Sequence, residues 1–149
     1  MAIKYKNCVS VGDSMGDRSY CSVIALATGA QIPHKKAYHV MRQYGRKHKQ
    51  GAWTHESLAA FQSLGFETKL VTSDYPEVKT VITAERHLPK DKTFLITIRG
   101  HIFTMRNGVI EDWSEGRKHK IKKIFEIIPK ADKLSKNAQR KAKRYNKES

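Results

Sequence analysis

Three residues of this chain could do covalent chemistry together: Cys21 in "DRSYCSVIALATG", and His101 and Asp112 in "RGHIFTMRNGVIEDW". A thiolate is a nucleophile, an imidazole manages its proton, and a carboxylate fixes the imidazole's tautomer and orientation. The second stretch reads as a hairpin, because Asn-Gly between alternating apolar residues favours a two-residue turn. With Asn107 and Gly108 as the loop, Arg106 pairs with Val109, Met105 with Ile110, Phe103 with Asp112 and His101 with Ser114. Strand alternation then sets Asp112 diagonal to His101 on one face and sends Glu111 through the other. Asp112 is therefore the expected partner of His101, which keeps its second nitrogen to act as a base.

Cys21 is the expected nucleophile because of where it stands. The run "CSVIALATG" is short and apolar and meets Gly29, which predicts a buried helix with a glycine C-cap and the cysteine in its first turn. A thiol there feels the helix dipole and free amide donors, and a nearby imidazolium favours the thiolate further. The Cys21 backbone N–H is one oxyanion donor. The preceding "GDSMGDRS" reads as a loop with Asp17 or Ser19 as N-cap, and Cys8, in "KNCVSVGD", reads as structural on an N-terminal strand or loop.

The elements that must position these residues follow from periodicity. "IPHKKAYHVMRQYG" predicts a helix with Ala37, Val40, Met41 and Tyr44 on one face. "THESLAAFQSLGF" predicts another, capped by Thr54, striped by Leu58, Phe61 and Leu64 and stopped by Gly65. "KLVTS" is a short strand, and "YPEVKTVITAERHLP" a helix from Pro76 to before Pro89 with Val78, Val81, Ile82 and Leu88 inward. The period then changes to two in "TFLITIRG", "HIFTMRNGVIEDW" and "KIKKIFEII". Helices followed by an antiparallel meander make an α+β fold rather than a parallel βαβ one.

The chain has 149 residues, 39% of them hydrophobic, which suits one globular domain with an appendage. The domain is expected over 1–128 and a basic helical tail over 129–149, striped by Ala131, Leu134, Ala138, Ala142 and Tyr145. Of the net charge of +15, most falls after position 116, where 13 Lys/Arg face three Asp/Glu. Arg117, Lys118, Lys120, Lys122, Lys123, Arg140, Lys141, Lys143 and Arg144 are thus candidates for meeting nucleic acid or another polyanion. Two cysteines without CxxC spacing argue against a disulfide scaffold and for a reducing cytoplasm, and no run suits a signal peptide or a membrane span. The remaining histidines, His34, His39, His48, His55, His87 and His119, lack zinc-site spacing, and no phosphate-cradling glycine motif is present, so neither metal nor cofactor is expected. Trp53 and Trp113 are read as packing residues or cleft walls.

In order and spacing, "DRSYCSVIALATG", the helices after it and "LPKDKTFLITIRGHIFTMRNGVIEDW" resemble papain-like cysteine peptidases. The likeness is greatest to the compact peptidase domains that process bacteriocin leaders and to short papain-like proteins of bacteriophages. It runs from Gly12 to Ile128 and leaves out the basic tail. It implies a Cys21–His101–Asp112 triad acting on a peptide or isopeptide bond of a peptide or protein substrate, in a host cytoplasm or a virion. One position departs from the family, which places a glutamine shortly before the cysteine as an oxyanion donor; here Met15, Asp17, Ser19 and Tyr20 occupy that region. Ser14 and Ser19 are the side-chain candidates, since an ionised Asp13 cannot donate. Two other functions share these features: a transglutaminase-like acyltransferase using the same trio, and an inert papain-like core that binds nucleic acid or a host or virion partner through its tail.

Overall fold

The computed structural model describes residues 3–16, 20–46, 54–112 and 114–130. Among them are five α-helices, α1 (Tyr5–Ser14), α2 (Cys21–Ala30), α3 (His34–Gln43), α4 (Thr54–Ser63) and α5 (Val81–His87), with a single 3-10 turn at Thr72–Asp74. Five strands, β1 (Phe66–Leu70), β2 (Thr93–Ile98), β3 (His101–Arg106), β4 (Val109–Ile110) and β5 (Ile121–Pro129), form one antiparallel sheet in the order β1-β5-β2-β3-β4. The fold is α+β, but the strands are not a plain meander. β2, β3 and β4 follow one another across the sheet, whereas β5 returns to the far side of β2 and separates it from β1.

Both faces of the sheet are covered, so its central strands are apolar at nearly every position. Leu95, Ile102, Phe125 and Ile127 pack with α1–α4, and Phe94, Ile96, Phe103, Met105 and Ile124 pack with Val81, Ala84 and Leu88 around α5. α2 lies at the centre of the larger layer and is buried from Ser22 to Gly29. Gly29 does not end this helix, as expected of a C-cap. It lies inside α2, where a Cβ would press on Phe61 and Thr104, so its use is close packing. The left-handed position is instead Gln31, at φ 57°. Its side chain offsets that strain by donating to Thr28 O at 2.6 Å and Ile3 O at 3.2 Å and accepting from Ile3 N at 2.7 Å.

Other boundaries also move. The Cys8 segment is helix α1 rather than strand or loop, because Tyr5, Cys8, Val9 and Gly12 recur at helical spacing and face the core. In α3 the buried set is His34, Ala37, Tyr38 and Met41; Tyr44 falls past the helix end and is exposed. β1 starts three residues before the expected "KLVTS". α5 starts at Val81, not Pro76: Thr80 and Thr83 form a reciprocal capping box, and the carbonyls of His119 and Arg117 accept from Val81 N and Ile82 N. Pro129, expected in the tail, closes β5, and positions 131–149 of that tail lie outside the described residues.

Candidate functional site

α2 and β3 both begin at the site and lead away from it in the same direction. Thr104 Oγ1 donates to Ala25 O at 2.7 Å and ties the two elements together one helical turn beyond the site. That bond, with the burial of α2, fixes Cys21 at the helix start against His101 at the strand start. The Cys21 thiol is hydrogen-bonded to His101 and to the backbone of Ile102. His101 is stacked on Phe103 at 5.8 Å between centroids, the face-sharing neighbour that strand alternation predicts.

The hairpin pairs Met105 with Ile110 and Arg106 with Val109, as its Asn-Gly turn requires, and Asn107 takes φ 54°. The ladder stops there, so the expected pairs Phe103–Asp112 and His101–Ser114 do not form as strand pairs. The chain bends at Asp112 instead, and the bend carries the carboxylate to the imidazole: His101 Nε2 to Asp112 Oδ2 is 2.7 Å, with both side chains nearly buried. With Nε2 engaged, Nδ1 is the nitrogen left for the thiol. Glu111 goes the other way, its Oε2 accepting from Tyr5 N of α1 at 3.4 Å.

The electrostatics follow from these contacts. Burial pulls the His101 imidazole down, yet its hydrogen bonds to Asp112 and Cys21, with their charges, push it up to about 9. Burial pushes the Cys21 thiol up, but the hydrogen bond and charge of His101 and the Ile102 N–H outweigh that and the opposing Asp112 charge, leaving it below the ordinary thiol value. Both shifts favour a thiolate–imidazolium pair near neutral pH. Such a pair can attack an electrophilic carbon and then deliver a proton to the leaving group.

Two residues that the sequence pattern does not single out shape the surroundings. Ser114 is fully buried and donates to Asp112 Oδ2 twice, from N at 3.0 Å and from Oγ at 2.6 Å. Its signal is the spacing, since an aspartate commonly accepts from the backbone two residues on. Tyr20, the N-cap of α2, lays its ring where a Cβ on Gly12 would stand and donates from its hydroxyl to Asp13 Oδ1 at 2.9 Å. The Asp13 carboxylate is thus held by a phenol beside the helix start.

The oxyanion candidates divide. Cys21 N lies at the start of α2, where helix amides lack intrahelical acceptors. Ser14 ends α1, and its hydroxyl donates to Val11 O at 2.8 Å, which engages its single proton. Ser19 and Asp17 lie outside the described residues, as do His48, Trp53, Trp113, Arg140, Lys141, Lys143 and Arg144. Arg117, Lys118, Lys120, Lys122 and Lys123 are exposed along the segment that caps α5 and enters β5. Among the described residues no cluster of His, Cys, Asp and Glu could hold a metal ion, and no helix is long and apolar enough to cross a membrane.

No family model, curated protein or solved structure matches the chain.

Proposed function

We propose that the protein is a papain-like cysteine peptidase or related amidohydrolase that cleaves a peptide or isopeptide bond with Cys21, His101 and Asp112. The observation that carries this reading is the unbroken chain of contacts from the Cys21 thiol through His101 to Asp112 Oδ2. The Cys21 thiolate adds to the carbonyl carbon, and the negative oxygen turns toward Cys21 N at the helix start. His101 gives its proton to the departing amine, leaving a thioester on Cys21. It then takes a proton from water, whose oxygen displaces the thiol and releases the acid; an amine in place of water gives acyl transfer. Asp112 holds the ring throughout.

The test is reaction of the full chain with iodoacetamide near neutral pH, resolved by peptide mass. Cys21 is expected to react much faster than free cysteine and to lose that advantage in His101→Ala. Equal rates in the two proteins, or a rate no higher than free cysteine, refute the reading. A peptide library then identifies the bond.

A second reading draws on the exposed Arg117, Lys118, Lys120, Lys122 and Lys123. In it the basic end binds nucleic acid or another polyanion and brings the site to it. Binding to a labelled duplex that weakens steeply with salt and survives Cys21→Ala supports this; salt-independent or absent binding refutes it.

A further inference from the structure

Asp112 poses a problem that the triad alone does not solve. A carboxylate this buried lacks the water that would hold its charge and its direction, and one imidazole donor leaves it free to rotate about its terminal torsion. Three hydrogen bonds converge on a single oxygen, Oδ2: from His101 Nε2 at 2.7 Å, Ser114 N at 3.0 Å and Ser114 Oγ at 2.6 Å. Two of the three come from Ser114, which has no exposed surface and so no competing water. The 2.6 Å contact lies in the range of a charge-assisted O–H···O⁻ bond.

We infer that Ser114 is a positioning residue of this site, whose hydroxyl and amide clamp Asp112 Oδ2 so that the carboxylate aims at His101 Nε2 and turns Nδ1 to Cys21. This rests on the catalytic reading of the trio and adds a residue that acts through Asp112, not on substrate. The clamp also explains how the hairpin dispenses with ladder pairing beyond Ile110. The bonds from Ser114 to the Asp112 carboxylate hold the geometry that strand pairing would otherwise impose.

A donor on a carboxylate has two opposed effects on the imidazole beyond it. By neutralising the carboxylate it weakens the imidazolium's partner; by aiming it, it strengthens the bond. Positioning predicts that the second effect wins. Full-length Ser114→Ala, which keeps the amide and loses the hydroxyl, is compared with the unaltered chain by iodoacetamide labelling of Cys21 and by NMR titration of the His101 ring, assigned by its loss in His101→Ala. Labelling at pH 7 is expected to slow about tenfold, the order set by one charge-assisted bond. The His101 titration is expected to fall from about 9 toward the ordinary imidazole value of 6.5. Ser114→Cys, nearly isosteric with a weaker donor, shifts both readouts the same way by less, and stands in for alanine if the alanine chain does not fold.

A His101 titration that stays or rises in the variants overturns the inference, because a merely neutralising donor gives that result. Slow Cys21 labelling in the unaltered chain overturns the catalytic reading instead, while the ring titration still decides the role of Ser114. Fast labelling that is unchanged in both variants overturns the role of Ser114 alone.

Discussion

Cys8 and Cys21 stand in neighbouring helices against the same apolar core, yet their thiols are driven in opposite directions. Burial and then the Glu111 charge push Cys8 up to about 11. Cys21 feels burial too, and a carboxylate, but it is hydrogen-bonded to the His101 imidazole, and it ends below the ordinary thiol value. Desolvation raises both thiols, so it does not separate them; the hydrogen bonds to Cys21 and the sign of the charge nearby do. The hairpin makes the difference by sending consecutive acids to opposite sides, Asp112 to His101 and Glu111 to α1.

The largest expected effect is the contrast itself. In the folded chain at pH 7, iodoacetamide should modify Cys21 at least about a hundredfold faster than Cys8, since His101 holds the Cys21 thiol below its ordinary value whereas the Cys8 thiol is pushed up and enclosed. Time-resolved peptide mass mapping measures both in one sample. Similar rates would show that local charge does not control these thiols.

Next in size is the collapse of that contrast in His101→Ala. Burial and the Asp112 charge then act on Cys21 against the Ile102 N–H alone, so its thiol should rise toward the condition of Cys8. Labelling at pH 7 should slow by about tenfold or more, and the thiolate absorbance should appear only at alkaline pH. A thiol that still ionises near neutrality would transfer the effect from His101 to the helix dipole.

The residues behind these two effects are legible in the amino-acid sequence, because helix starts, Asn-Gly turns and strand alternation are local rules. They mark Cys21, His101 and Asp112, and the register arithmetic sends Glu111 to the other side, where it lies. The same arithmetic sets Ser114 opposite His101, but its use is not legible, since the chain leaves the ladder after Ile110 and bends to bring Ser114 under Asp112. The misplaced elements have non-local causes. α5 starts at Val81 because carbonyls from 117 and 119, far along the chain, accept from its first amides. Gly29 stays helical because Phe61 and Thr104 need the space, and β5 inserts beside β2 by tertiary pairing that no window of sequence displays.

The two ends of α2 give a smaller and sharper comparison. Gly12→Ala would drive a methyl into the Tyr20 ring, next to the helix start, whereas Gly29→Ala would drive one into Phe61 and Thr104 near its end. Each should cost about 1–3 kcal/mol of stability by overpacking, read from denaturant unfolding. Only Gly12→Ala should also slow Cys21 labelling, by a few-fold, because Tyr20 leads directly into the first turn of α2, where Cys21 stands. Equal slowing by both would mean that α2 moves as one rigid body, and the Thr104–Ala25 tie does not isolate the site.

The smallest expected effect concerns stability against pH, where the two charged partners oppose each other. Folded His101 keeps its proton to about pH 9, against 6.5 for the ordinary imidazole, so its stabilising contribution is complete below 6.5 and is lost as pH rises through 9. Folded Cys21 loses its proton below the ordinary value of 9.0, so its contribution is present above 9 and is lost as pH falls through the lowered folded value. In the window they share the two slopes offset one another. Cys21→Ser removes the thiol's slope and leaves Asp112 holding the imidazolium. The melting temperature of this variant should therefore drop relative to the unaltered chain between pH 6.5 and 9, by about a few degrees. Adding His101→Gln should abolish that extra drop, because the proton it reports is gone. Parallel melting curves for Cys21→Ser and the unaltered chain would instead show that the imidazolium needs the thiolate as well as Asp112, and that the pair is held together from the Cys21 side.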